Sequence, residues 1–209
     1  MALQKIEKES NELFDKHTEN ANKKTVKKTG KKTTPKATIT KSSKKEVSSK
    51  AFGLLGQTLP DFEVELYSNN KTSSSLVRLS SLVGKEGMVL YFYPKDSTPG
   101  CTTEACNFRD SKDLIRLLGY SVVGVSPDSI TSHQRFSQKY DLNFDLISDT
   151  TKALCQEFKV WQQKQLYGRQ FMGVVRSTFL IDNKLKVWHV ISPVKVKHHN
   201  DEILDLIKK

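Results

Sequence analysis

Met88-Val89-Leu90-Tyr91-Phe92-Tyr93-Pro94-Lys95-Asp96-Ser97-Thr98-Pro99-Gly100-Cys101-Thr102-Thr103-Glu104-Ala105-Cys106 is the stretch that decides how the rest of this chain is arranged. Its first six residues are an unbroken apolar run, as a strand buried on both faces requires. Two prolines and a glycine then turn the chain, and residues 102–118 read as a helix with Phe108, Leu114, Ile115 and Leu118 on one apolar face. Cys101 falls at the junction. There the unpaired N–H groups of a helix start and the positive end of its dipole favour a thiolate, the reactive form of cysteine. By position alone Cys101 reads either as an activated thiol or as a small buried hydrophobe.

Strand and helix signals alternate outward from this junction. Phe62–Tyr67, Ser121–Ser126 and Phe144–Ile147 read as strands. Asp128 or Ser129 caps a helix running to about Tyr140, and Asp149 caps another over Thr150–Phe158. Thr178–Ile181 and Leu185–Ile191 flank Asp182-Asn183-Lys184 as a hairpin, and Asp201–Lys208 forms a last helix. This order predicts a three-layer α/β domain, a fold class that does not by itself specify a function.

Charge divides the chain near Phe52. Residues 1–50 hold fourteen Lys, no Arg and six acidic residues, a net +8 of the chain's +11. Residues 1–20 could form a short amphipathic helix through Leu3, Ile6, Leu13 and Phe14. Residues 21–50 have eleven Lys, one acid and no aromatic. Such a segment cannot offset the roughly 1–2 kcal/mol per residue of backbone ordering entropy, so a disordered tail over 1–50 and a folded domain over 51–209 are expected. Lys5, Glu7, Lys8 and Glu9 interrupt any signal-peptide core, and no apolar run nears membrane-span length. A soluble intracellular protein without a membrane partner is expected.

Three cysteines and no C-x-x-C pair make neither a disulfide scaffold nor a thioredoxin-type reductase site, and the five His are not at zinc-finger spacing from the Cys. Cys106 follows Cys101 by five residues. On a regular helix that spacing separates Cα atoms by roughly 8–9 Å, beyond the ~7 Å reach of a disulfide. Pairing would therefore require the helix to unwind. Cys155, near Leu154 and Phe158, reads as a structural residue. Lys95, Asp96 and Glu104 need no chemical role, although Glu104 would suit the helix dipole while opposing a neighbouring thiolate.

Pro94, Thr98 and Cys101 make the P-x-x-x-T-x-x-C pattern of peroxiredoxins. The run Tyr91–Asp110, with T-P-G-C-T-x-E-A-C-x-F-R-D, resembles the bacterioferritin comigratory protein or peroxiredoxin Q branch. So do Leu146-Ile147-Ser148-Asp149, Ala153–Trp161 and Phe171–Asp182. The resemblance covers about residues 54–209. It implies a thioredoxin fold of the peroxiredoxin type, a central mixed sheet flanked by helices, with no metal and no organic cofactor. It also implies Cys101 as the peroxidatic cysteine, with Pro94 shielding the sulfur and Thr98 donating to the thiolate or orienting a substrate oxygen. Cys106 stands at the branch's resolving position, the alternative being a buried helix residue in a one-cysteine enzyme. Arg176, otherwise readable as a surface charge, matches the family's active-site arginine, whose fixed charge would favour the thiolate and hold a peroxide oxygen.

The implied reaction is reduction of hydrogen peroxide and alkyl hydroperoxides through a sulfenic acid and an intramolecular disulfide, recycled by thioredoxin in a monomeric enzyme. A basic extension on such a domain resembles the fungal nuclear thiol peroxidases. That implies nuclear localisation, with cytoplasm as the alternative, and import factors or nucleic acid as partners of the tail. The rival reading is a chromatin-associated redox sensor or binding protein on the same fold.

Overall fold

The computed structural model describes residues 50–68, 71–166 and 168–208, without the side chains of residues 71–73 and 166. The expected tail and its short helix lie outside the described residues, Lys50 excepted. The apolar run Met88–Tyr93 forms the middle of the molecule. Strand β3 (Gly87–Phe92) is buried at all six positions. Its alternate residues enter two separate layers: Met88, Leu90 and Phe92 pack with Cys155, Phe158 and Phe179, while Val89, Tyr91 and Tyr93 pack with Cys101, Phe108, Ile203 and Leu204. The period of two in a strand places these layers on opposite faces of the sheet.

Seven strands make the mixed sheet in the order β2-β1-β5-β4-β3-β8-β9. They are β1 (Glu63–Ser68), β2 (Lys71–Arg78), β3, β4 (Tyr120–Ser126), β5 (Asp145–Ser148), β8 (Ser177–Asp182) and β9 (Val187–Ile191). β3 runs parallel to β4 and antiparallel to β8, so Val89 faces Val122 on one side and Leu180 on the other. Helix α1 (Pro99–Leu117) links β3 to β4, α2 (Ile130–Tyr140) links β4 to β5, α3 (Ala153–Glu157) follows β5, and α4 (His199–Ile207) closes the chain against α1. β6 (Trp161–Leu166) and β7 (Arg169–Val174) form a separate antiparallel ribbon.

The expected strands and hairpin are present. Ser129 rather than Asp128 caps α2, its side chain accepting from the Ser132 N–H. The last helix starts at His199 rather than Asp201 and the second hairpin strand at Val187 rather than Leu185, and two further boundaries differ. The α1 helix starts at Pro99, not residue 102, because proline suits the first helical position, where its missing N–H costs nothing. Cys101 thus lies inside the first turn. The α3 helix is shorter than Thr150–Phe158 because Lys152 takes a left-handed conformation (φ 62°). Asp149 still caps it, accepting from the Leu154 and Cys155 N–H groups at 3.2 and 2.7 Å. The sequence reading missed β2 and the β6–β7 ribbon. Lys-Thr-Ser-Ser-Ser-Leu-Val-Arg and Trp-Gln-Gln-Lys-Gln-Leu carry little apolar patterning, because an edge strand and a peripheral ribbon bury few side chains.

Candidate active site

The loop between β3 and α1 is fixed from below by a buried carboxylate. Asp96 accepts from Tyr93 Oη at 2.8 Å and Ser132 Oγ at 2.7 Å. Its Oδ2 lies 2.9 Å from His133 Nδ1, whose Nε2 faces the Ile147 carbonyl at 3.1 Å. The Asp96 N–H donates to Asp128 at 2.8 Å. So anchored, the loop turns through Ser97 in a left-handed conformation (φ 57°) and enters α1 at Thr98. Asp96 has no chemistry to perform here; it holds the turn that delivers Cys101.

Cys101 is 1% exposed. Thr98, the residue before α1, makes no side-chain cap, so the N–H groups of the first turn remain directed at the sulfur's end of the helix. Arg176, in the short link between β7 and β8, donates through Nη2 to Cys101 Sγ at 3.1 Å. Its Nη1 donates to Glu104 Oε2. Burial works against the charge of Arg176, but Glu104 and Cys101 outweigh it, so its proton is held more tightly than in an ordinary arginine. The link is pinned at both ends: Val175 N donates to Val160 O at 2.8 Å and Val194 N to Arg176 O at 3.0 Å. The structure thus brings together Cys101 and Arg176 as expected from the resemblance, with Pro94 half-buried where the chain leaves β3.

Thr98 corrects one expectation. Its hydroxyl donates to the Lys95 carbonyl at 3.0 Å and not to the sulfur. A threonine at a tight turn satisfies the nearest backbone acceptor first. At Gly100 an added Cβ would stand 3.5 Å from Arg176 Nη2, ordinary contact, and no positive φ imposes glycine there.

Cys106 is half-buried on the same unbroken α1, and Cys101, Cys106 and Cys155 are all free thiols. The helical distance argument therefore applies to the reduced protein. Cys155 is fully buried in the opposite layer. Burial, then the charge and hydrogen bond of Asp149, push its thiol far above the usual cysteine range. That agrees with a structural role.

Four side chains around the sulfur escaped the sequence reading or were set aside by it. Glu104 is 1% exposed and shares Arg176 with Cys101; its i+3 spacing from Cys101, which puts both on one helix face, was the available signal. Tyr91 is buried, and among the described residues its hydroxyl has no hydrogen-bond partner; burial, then the charges of Glu104 and Cys101, raise its pKa well above the tyrosine range. Lys164, on β6, donates to the Val174 carbonyl at 3.1 Å, and burial followed by repulsion from Arg176 lowers its proton affinity while Cys101 partly restores it. His199, at the start of α4, lies against Glu104. Nothing local in the sequence marks Lys164 or His199.

A cleft of about 420 Å³ lined by Gly84, Lys112, Tyr120 and Asp145 lies at the other end of β3 and β4, away from Cys101. Among the described residues no group of three or more His, Cys, Asp or Glu is placed to hold a metal ion, and no helix is long and apolar enough to cross a membrane.

Residues 55–190 match the AhpC/TSA family. The peroxiredoxin Bcp of Bacillus subtilis is 44% identical over 154 residues, covering 74% of this chain and 94% of its own. The Escherichia coli K12 peroxiredoxin Bcp is 40% identical over 133 residues, covering 64% and 85%. Among solved structures, a peroxiredoxin Q of Xanthomonas campestris superposes with a TM-score of 0.63 at 38% identity, covering 70% of this chain and 89% of its own. The peroxidoxin BcpB of Mycobacterium tuberculosis does so with a TM-score of 0.62 at 34% identity, covering 74% and 96%. The fold and the site define a thiol peroxidase on a thioredoxin-like scaffold. The chain belongs to the AhpC/TSA family, in its bacterioferritin comigratory protein or peroxiredoxin Q branch.

Proposed function

We propose that Cys101 is the peroxidatic residue of a two-cysteine peroxiredoxin. The observation that carries this reading is the Arg176 Nη2 to Cys101 Sγ contact of 3.1 Å at the start of a helix. The thiolate attacks one oxygen of ROOH, the O–O bond breaks, and sulfur takes that oxygen as a sulfenic acid while the other leaves as ROH after gaining a proton. Arg176 and the first-turn N–H groups stabilise charge on the oxygens. With its proton committed to Lys95, the Thr98 hydroxyl accepts the O–H of the incoming hydroperoxide. A bacterioferritin comigratory protein of Xanthomonas campestris has been studied for alkyl peroxide reduction, which supports organic hydroperoxides beside hydrogen peroxide as substrates.

Cys106 then condenses with the sulfenic acid, losing water, and thioredoxin reduces the disulfide. The test is peroxide consumption with thioredoxin and its reductase for wild type, Cys101→Ser, Cys106→Ser and Cys155→Ser. Only the first two variants should lose turnover. Full turnover by Cys101→Ser would overturn the assignment.

The Lys-rich segment 1–50 supports nuclear import, and contact with nucleic acid, as its role. Deleting it should leave peroxidase activity intact and reduce nuclear retention, measured against a control for passive entry. No peroxide turnover by either the full chain or the tail-deleted domain would instead favour a chromatin-bound redox sensor.

A further inference from the structure

His199 is 2% exposed at the first residue of α4. Its Nε2 lies 2.9 Å from Thr178 Oγ1 on β8. Its Nδ1 lies 3.0 Å from Glu104 Oε1, within ion-pair reach though off the angle of a formed hydrogen bond. Among the described residues neither of those two atoms has a hydrogen-bond partner. The second Glu104 oxygen takes Arg176 Nη1, and Arg176 Nη2 takes Cys101 Sγ. Four residues from three remote parts of the chain thus form one line: His199, Glu104, Arg176, Cys101.

The arrangement meets a specific difficulty. Glu104 and the Cys101 thiolate are both anionic and share one guanidinium. Glu104 therefore competes for the charge that the thiolate and the peroxide need. A carboxylate held by Arg176 alone could turn and draw the guanidinium off the sulfur. A second donor on Oε1 removes that freedom. Packing does not account for the choice of residue: Phe108 meets the His199 ring edge at 5.3 Å between centroids and 82° between planes, a contact that another aromatic ring would also make. A buried ring with both nitrogens aimed at polar atoms is costly unless both are used.

We propose that His199 is a positioning residue of the peroxide site: its Nδ1–H holds Glu104 so that Arg176 stays on Cys101. In this role the ring proton stands on Nδ1 and Nε2 accepts from the Thr178 hydroxyl, 2.9 Å away. The C-terminal helix is by this route part of the active site. The proposal rests on Cys101 being the attacking thiol.

Two substitutions separate positioning from packing. His199→Asn places an amide N–H2 where Nδ1 was, and His199→Gln places one where Nε2 was. Both remove a buried ring, and both should lower the thermal midpoint by similar amounts. His199→Asn should keep a near wild-type second-order rate with hydrogen peroxide, while His199→Gln slows it by about tenfold, as a misplaced catalytic contact does. The thiolate absorbance of Cys101 should emerge at higher pH only in His199→Gln. Equal rates in both variants, or equal slowing in step with stability, would overturn the proposal. Nitrogen NMR of histidine-labelled wild type gives a reading that needs no substitution: Nδ1 of His199 should carry a proton in the reduced protein, and an unprotonated Nδ1 would refute the role. Cys101→Ser serves as the control: turnover by that variant refutes Cys101 as the attacking thiol, whereas a dead Cys101→Ser beside an unaffected His199→Gln refutes the positioning role alone.

Discussion

Cys101 and Cys155 lie in different hydrophobic layers on opposite faces of the sheet, separated by the central strand β3. No side-chain rotation joins them, because β3 is buried along its whole length. Peroxide-treated protein, unfolded and then alkylated, should show Cys101 linked to Cys106 and Cys155 as a free thiol by peptide mass spectrometry. A dominant Cys101–Cys155 bridge would require the sheet to open and would discard the mechanism proposed above.

The Cys101–Cys106 bond should melt the start of α1. The two residues stand on one continuous helix, roughly 8–9 Å apart at Cα, and a disulfide closes within about 7 Å. Unwinding a turn or two releases helical hydrogen bonds, each worth about 0.5–1.5 kcal/mol net. Thr102 and Thr103, modest helix formers, reduce that cost slightly. Amide exchange over residues 100–108 should quicken on oxidation while β3 stays protected. Unchanged protection over 100–108 would refute local unfolding.

Arg176→Ala should slow the reaction with hydrogen peroxide by about a hundredfold or more, the usual effect of removing one preorganised donor from developing oxyanion charge. The fold should persist, because β7, β8 and the backbone bonds of Val175 and Arg176 do not depend on the guanidinium. Stopped-flow rates beside a thermal midpoint would test both halves. An unchanged rate would remove Arg176 from the site.

Asp96→Ala should destabilise the protein by about 1–3 kcal/mol, the range for leaving buried hydrogen-bonding groups unsatisfied. It strands His133, Ser132 and the Tyr93 hydroxyl at once. Peroxidase rate should fall as well, since the loop that carries Cys101 loses its anchor. Denaturant titration measures the first effect; a loss under about 1 kcal/mol would show that the network contributes little.

Alkaline conditions should weaken the fold partly through Cys155. Burial raises its folded-state pKa, so the unfolded thiol ionises first as pH rises past about 8.5. Stability from this group is fully present below that value and declines above it, by up to ~1.4 kcal/mol per pH unit. Denaturation midpoints of wild type should therefore drop more steeply above that pH than those of Cys155→Ala. Parallel profiles would contradict the shift.

Local patterning alone determined a good part of this protein. Six consecutive apolar residues, short and followed at once by proline, fit a strand covered on both faces, and Met88–Tyr93 became the buried centre of the sheet. Pro99, Gly100 and the apolar face through Phe108 and Ile115 placed Cys101 at a helix start. The motif around Pro94, Thr98 and Cys101 carried the family. These signals are short-range: they depend on φ preferences, caps and the periods of helix and strand, which adjacent residues encode. The ribbon of Trp161–Leu166 and Arg169–Val174 escaped because its second strand leaves Phe171 and Met172 exposed beside polar neighbours, so no buried-face period marks it.

Tertiary structure decided what surrounds the sulfur. Arg176 reaches Cys101 only because β8, which it precedes, pairs with β3, which Cys101 follows. The α4 helix docks on α1, and that contact sets His199 against Glu104. It is packing, too, that buries Cys155 in the opposite layer. Electrostatic and hydrogen-bond partners are fixed by distances of a few ångströms between residues many positions apart. Those distances follow from strand order and layer packing, which no local stretch of sequence contains.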